Sequence, residues 1–183
     1  MVKIRKIELE TKPKFTRPIL LLHPNIPKPM HGTNPRSVMG QEWWDIKRKE
    51  AYAVNKYHCF ACGVHRQSAE YHKWLEAHES YKIDYAIGRM RLEEIVALCH
   101  CCHNFIHNGR MEALVSKRGM TYDKYEYIIN HGNKLVESIP RMIVPSEYTG
   151  GHCSWKQWHL EIDGNKYYGK FKNVKEWERV YGG

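Results

Sequence analysis

Residues 99–107 read CHCCHNFIH, three cysteines and three histidines in one short run. Thiolate and imidazole are the ligands that zinc and neighbouring first-row metals favour, so this density predicts metal binding rather than core filling. A second ligand-rich segment, YHCFACG, lies at residues 57–63. Cys59-x-x-Cys62 and Cys99-x-x-Cys102 are therefore two matched pairs. Each pair offers two thiolates from one tight turn, and together they complete the closed tetrahedral sulfur shell of a structural zinc. A redox C-x-x-C would account for one pair and leave the other unexplained. Cys99-x-Cys101 is an alternative second pair, but the spacing favours Cys102. Cys101 and Cys153 read as small, partly buried thiols.

The cysteines leave the histidines unexplained. His103 and His107 are spaced i, i+4, so a helix puts both on one face, a half-site for a second divalent ion. His78 lies between the cysteine pairs, in LEAHE. A zinc that ties the start of this segment to the start of the helix lets a hairpin carry His78 back over His103 and His107. Glu76 shares a strand face with His78 and is within reach of the same ion. His58, His65, His72, His100, His131, His152 and His159 read as ordinary packed or surface histidines.

These side chains need elements to position them. Residues 40–55 (GQEWWDIKRKEAYAVN) predict a helix, with Trp44, Arg48, Ala51 and Tyr52 on one face. Residues 74–80 predict a strand. Residues 88–99 start polar and end in a buried IVAL. From Cys102 the pattern predicts a helix that stops at Asn108-Gly109, a pair suited to a left-handed cap. Helices follow over 110–118 and 122–138. A hairpin over 160–171 turns at Asp163-Gly164, and NVKEWERVY closes the chain as a helix. Residues 1–17 read as an edge strand or a basic arm. Residues 18–36 hold five of the eight prolines and predict an extended connector. The expected organisation is a basic, Pro-rich arm (1–39), a core (40–110) and a helical segment with a β-hairpin (111–183), in the α+β class.

This arrangement resembles the zinc-stapled HNH endonucleases. The matching pieces are YHCFACG, WLEAHE, VALCHCCH and FIH, with a Trp- and Arg-bearing helix ahead of the first cysteine pair; they cover about residues 40–110. The resemblance implies a ββα-metal core with a four-cysteine structural zinc, preceded by a helix and followed by helices and a β-hairpin. It implies one catalytic divalent metal (Mg²⁺, Mn²⁺ or another first-row ion) between hairpin and helix. It also implies hydrolysis of DNA phosphodiester bonds, by nicking or double-strand cleavage, in which a strand histidine activates water and the metal stabilises the developing charge. Carried over, His78 is the base, His103 the helix ligand and His107 an extra ligand. Two positions depart from the pattern. Ala77 stands where the family has a ligating Asp or His, and Glu94 stands where it has Asn. The first departure leaves a second assignment open, with His78 as ligand and Glu79 or a water-linked group as base; Glu79, like Glu76, is also a candidate ligand of the ion. The second requires a partner for the Glu94 charge.

The net charge of +9 agrees with a polyanionic partner, because residues 1–58 hold 12 of the 29 Lys and Arg but only 5 of the 20 Asp and Glu. Lys47, Arg48 and Lys49 on the first helix, with Arg89 and Arg91 in the hairpin, are the expected DNA contacts. No apolar run approaches the ~20 residues of a membrane span, and residues 1–17 lack a signal-peptide core. The expectation is a cytoplasmic protein with unpaired cysteines that acts on DNA as a monomer or a homodimer. Two rival readings share the same zinc: a DNA-binding protein with an inactive site, and a scaffold for another protein.

Overall fold

Two antiparallel strands occupy the centre of the chain. In the computed structural model, which describes residues 12–140 and 153–182, β1 (Glu76–Asp84) pairs with β2 (Arg89–Leu98) from Glu76 opposite Leu98 to Asp84 opposite Arg89. The first strand runs further than its sequence pattern suggests because Asp84 starts the turn itself. Its Oδ1 accepts from the amides of Ala86 and Ile87 at 3.1 and 3.4 Å, and Gly88 follows at φ +69°. The register slips between Ser80 and Tyr81, a bulge that twists the hairpin near its centre.

The sheet has four strands in the order β1-β2-β3-β4. β3 (His159–Ile162) and β4 (Asn165–Tyr168) form the expected hairpin, and Asp163 and Gly164 take the positive φ values that a tight two-residue turn needs, 50° and 79°. β3 lies parallel to β2, with Arg89 opposite His159. The sheet thus joins the centre of the chain to its C-terminal part.

Six helices are present among the described residues. α1 (Pro35–Met39) is capped by Asn34, whose side chain accepts from the Ser37 amide. α2 (Gln41–Val54) fills the predicted range and buries Trp44 and Ala51. α3 (His100–Ile106) starts earlier than expected, because Cys99 already has the extended backbone of an N-cap. The chain does not stop at Asn108-Gly109. His107 is the joint, and α4 (Asn108–Ser116) starts at once, with Asn108 Oδ1 accepting from the Gly109 amide at 2.7 Å. α5 (Tyr122–Glu137) and α6 (Val174–Tyr181) follow their predicted ranges. The Pro-rich connector is not extended throughout: it makes 3₁₀ turns at Pro18–Leu21 and Lys28–Met30, each with proline in its first turn. The reading of residues 1–17 falls mostly outside the described residues.

Apolar burial forms two clusters. One gathers Phe60, Leu75, Val96, Leu98, Met111 and Ile128 around the cysteines. The other gathers Met30, Met90, Trp158, Leu160 and Ile162 under β3. No helix among the described residues is long and apolar enough to cross a membrane.

Candidate metal centres and the cleft

The four cysteines meet. Cys59 and Cys62 sit on a tight reversal in which the Cys59 amide donates to the Val64 carbonyl (2.8 Å) and the Gly63 amide donates to the Cys59 carbonyl (2.9 Å). Gly63 has φ +77°, and a Cβ there would press on Thr16 Cγ2 at 2.6 Å, so the turn requires glycine. The Phe60 amide donates to the Ala97 carbonyl at 2.8 Å and pins this reversal to the end of β2. β2 then delivers Cys99, and the first turn of α3 delivers Cys102. The ligand atoms of all four lie within 4.8 Å of one another, and the Cys62 and Cys99 sulfurs are 3.7 Å apart. Hydrogen bonds from Cys102, Cys59 and Cys62 pull the Cys99 thiol pKa far down, whereas those from Cys59, Cys62 and Cys99 push Cys102 up. Four clustered thiols, three of them buried, are the donor set that a thiophilic cation satisfies, so the cluster can hold a structural metal ion.

A further group touches this centre. His131 Nε2 on α5 lies 3.5 Å from Cys102 Sγ, placed to orient a ligating thiolate. The close approach of α5 depends on Gly132, where an added Cβ would collide with the Phe105 ring of α3. Gly132→Ala is expected to lose about 1–3 kcal/mol through overpacking, despite the higher helix propensity of alanine. Urea denaturation of the metal-loaded protein measures it; an unchanged or raised midpoint contradicts this packing.

The second predicted centre also assembles. His78 from β1, His103 from α3 and His107 at its end bring their ligand atoms within 4.8 Å of one another. His78 is 5% exposed. Burial first, then the neighbouring His23, His103 and His107, lower its pKa to about 2, and burial together with His103 and His23 lowers that of His107 to about 4. Both rings are therefore neutral at physiological pH, with lone pairs available. His78 Nε2 is buried and has no hydrogen-bond partner. An unsatisfied buried ring nitrogen is costly, and a bound cation satisfies it.

Glu76 is placed behind His103 rather than beside His78. Its Oε2 accepts from His103 Nδ1 at 2.6 Å and its Oε1 from His100 Nδ1 at 2.8 Å. Burial raises its pKa, but the hydrogen bonds from His103 and His100 outweigh that and hold it at about 2. An ionised carboxylate on Nδ1 leaves His103 Nε2 as the ligand atom. Glu94 has the partner its charge requires: Arg17 grips it with two hydrogen bonds, 2.6 and 2.9 Å, and the Arg17 amide donates to the Phe60 carbonyl at 2.7 Å. Ala77 faces Ala97 in the hairpin and offers no ligand.

His78 and His107 open into a cleft of about 670 Å³, lined also by His23 and His31 from the connector, Glu79, Arg110 and Tyr181. Glu79 has its pKa raised by burial. His23 lies 4.8 Å from His78, ring centre to ring centre, and its Nε2 is also buried without a partner. Neither His23 nor Arg110 stands out in the sequence: one sits among prolines, the other alone on a helix. Most of the expected DNA contacts are paired with carboxylates. Lys47 bonds Glu50 (2.9 Å), Arg48 bonds Asp45 (2.6 Å), Arg91 bonds Glu93 (2.6 Å), and Arg89 lies 3.8 Å from Asp84 and 4.0 Å from Glu161. Lys49 is exposed on α2.

Compared with family models, curated proteins and solved structures, the chain matches none of them.

Proposed function

We propose that the protein is a metal-dependent endonuclease of the HNH type that hydrolyses phosphodiester bonds in DNA, with β1, β2 and α3 as its ββα-metal core and zinc in the cysteine cluster. The observation that carries this reading is the convergence of His78, His103 and His107, of which His78 and His107 line the cleft, with ionised Glu76 behind His103. These three histidines would hold the divalent ion, which supplies Lewis-acid stabilisation of charge on the phosphate and on the leaving oxygen. Of the two sequence assignments, His78 then acts as ligand and Glu79 as base. Glu79 lines the cleft, and burial raises its pKa, which makes it a stronger proton acceptor than an exposed carboxylate. Arg110 at the same cleft contributes positive charge toward a phosphate.

A zinc-stabilised DNA-binding protein without cleavage is the second reading, and Ala77 favours it, since no side chain can ligate from that position. Supercoiled plasmid separates the two. The nuclease nicks it with Mg²⁺, Mn²⁺ or Ni²⁺ and not with EDTA, whereas the binding protein retards it, in a salt-dependent way, and leaves it intact with every ion. In the nuclease, Glu79→Gln is expected to lower the cleavage rate about 10²–10⁴-fold, the usual contribution of a general base, while the cleft still binds metal. A cleavage rate unchanged by this substitution removes Glu79 from the reaction.

A further inference from the structure

His100 and His72 have no evident role in the sequence, yet they form a third cluster. Their ligand atoms and that of Glu76 lie within 4.8 Å of one another. His100 Nδ1 is 2.8 Å and His72 Nδ1 is 3.5 Å from the same carboxylate oxygen, Glu76 Oε1; an ion here takes the place of the proton that His100 Nδ1 shares with Glu76, and the ring keeps its proton on Nε2 instead. Two nitrogen or oxygen ligands at ~2.1 Å from one ion, 90–109° apart, are separated by about 3.0–3.4 Å. The observed spacing brackets that range.

Three further observations point to an ion. His72 Nδ1 is buried and has no hydrogen-bond partner, so one nitrogen is left for a ligand the protein does not supply. The rings are held in place: His72 stacks on Trp74 at 4.2 Å and lies 4.0 Å from the His100 ring. The side chains of His72, Glu76 and His100 are 32%, 23% and 10% exposed, so the cluster opens to solvent on one side, where water can complete a coordination shell. Lys124, over the Tyr71 ring at 4.5 Å, is the nearby charge that opposes a cation.

We propose that His72, Glu76 and His100 form a third metal site, open on one side, that takes zinc or a similar borderline first-row divalent cation. Two imidazoles and one carboxylate disfavour Mg²⁺ and Ca²⁺, which need mostly oxygen ligands. Glu76 connects this site to the cleft, since its other oxygen holds His103. Occupancy of either site therefore changes affinity at the other, reciprocally. The site does not depend on whether the cleft cuts DNA.

The test is equilibrium dialysis of the full chain against micromolar Zn²⁺, with bound metal counted by mass spectrometry. His72→Ala is the variant of choice, because His72 lies in the loop ahead of β1 and is not a sequence neighbour of the four clustered cysteines. It is expected to fold, keep the cysteine-bound zinc and hold one zinc fewer than wild type. His72→Cys restores the count. His78→Ala loses a different ion, and the His72→Ala/His78→Ala double variant loses both. A wild-type protein that holds no more zinc than His72→Ala overturns the site. So does a double variant that loses no more than His78→Ala alone.

Discussion

Removal of the cysteine-bound metal is expected to unfold the chain rather than loosen it. A structural zinc contributes roughly 10–16 kcal/mol of apparent binding free energy, and the whole stability of a domain is about 5–15 kcal/mol. The fold has little to replace the ion with. The reversal carrying Cys59 and Cys62 is held to β2 by the Phe60–Ala97 hydrogen bond, and Cys59, Phe60, Cys99 and Cys102 lie inside the larger apolar cluster. Without a cation, that cluster must hold four thiols within 4.8 Å of one another, with the proton affinities of Cys99 and Cys102 driven in opposite directions. Cys102→Ser leaves a hydroxyl against His131 and an incomplete shell. The purified protein is expected to carry one tightly held zinc. Strong chelation or Cys102→Ser is expected to abolish the cooperative thermal transition seen by circular dichroism. An apo protein that melts cooperatively within a few degrees of the loaded one shows that the cysteines are not the staple of this fold.

The two candidate metal centres were legible because their ligands are local. Two C-x2-C pairs and an i, i+4 histidine pair carry their geometry in their spacing, and a hairpin turned by Asp84 and Gly88 does the rest for His78. What surrounds those ligands was not legible, because it arrives from distant parts of the chain. Arg17, which neutralises Glu94, is 77 residues away from it, and His131 is 29 residues from Cys102. His23 sits in a Pro-rich stretch with no period to read. Glu76 was assigned to the right strand face, yet alternation along a strand does not say whether a carboxylate reaches an ion or a histidine behind it. The parallel pairing of β3 with β2 leaves no local trace either, since it depends on packing over Met90 and Leu160. The boundary at Asn108-Gly109 differs because Gly109 does not take the left-handed conformation of a helix end: His107 is the joint, and Asn108 is the first residue of α4.

Within the proposed function, His103→Ala is expected to have the largest effect on cleavage. Loss of one of three ligands removes several kcal/mol of charge stabilisation, about 10³-fold or more in rate, and weakens divalent-ion binding at the cleft. Glu76→Gln tests how His103 is held. The wild-type carboxylate accepts from both His103 Nδ1 and His100 Nδ1. A glutamine has one acceptor oxygen and presents an amide to the other ring, so one imidazole must turn or change tautomer. The expected loss is about 10–100-fold in metal affinity and activity, the range for a carboxylate behind a ligating histidine. The pattern of losses carries more than their size. Glu76→Gln should lower ion affinity and cleavage together, and Glu79→Gln should lower cleavage at unchanged ion affinity. If calorimetry finds cleft affinity intact in Glu76→Gln while cleavage falls, Glu76 acts on the substrate and not through His103. If His103→Ala cuts as wild type does, the cleft histidines are not the centre of the reaction, and DNA binding without hydrolysis becomes the better account of the basic charge.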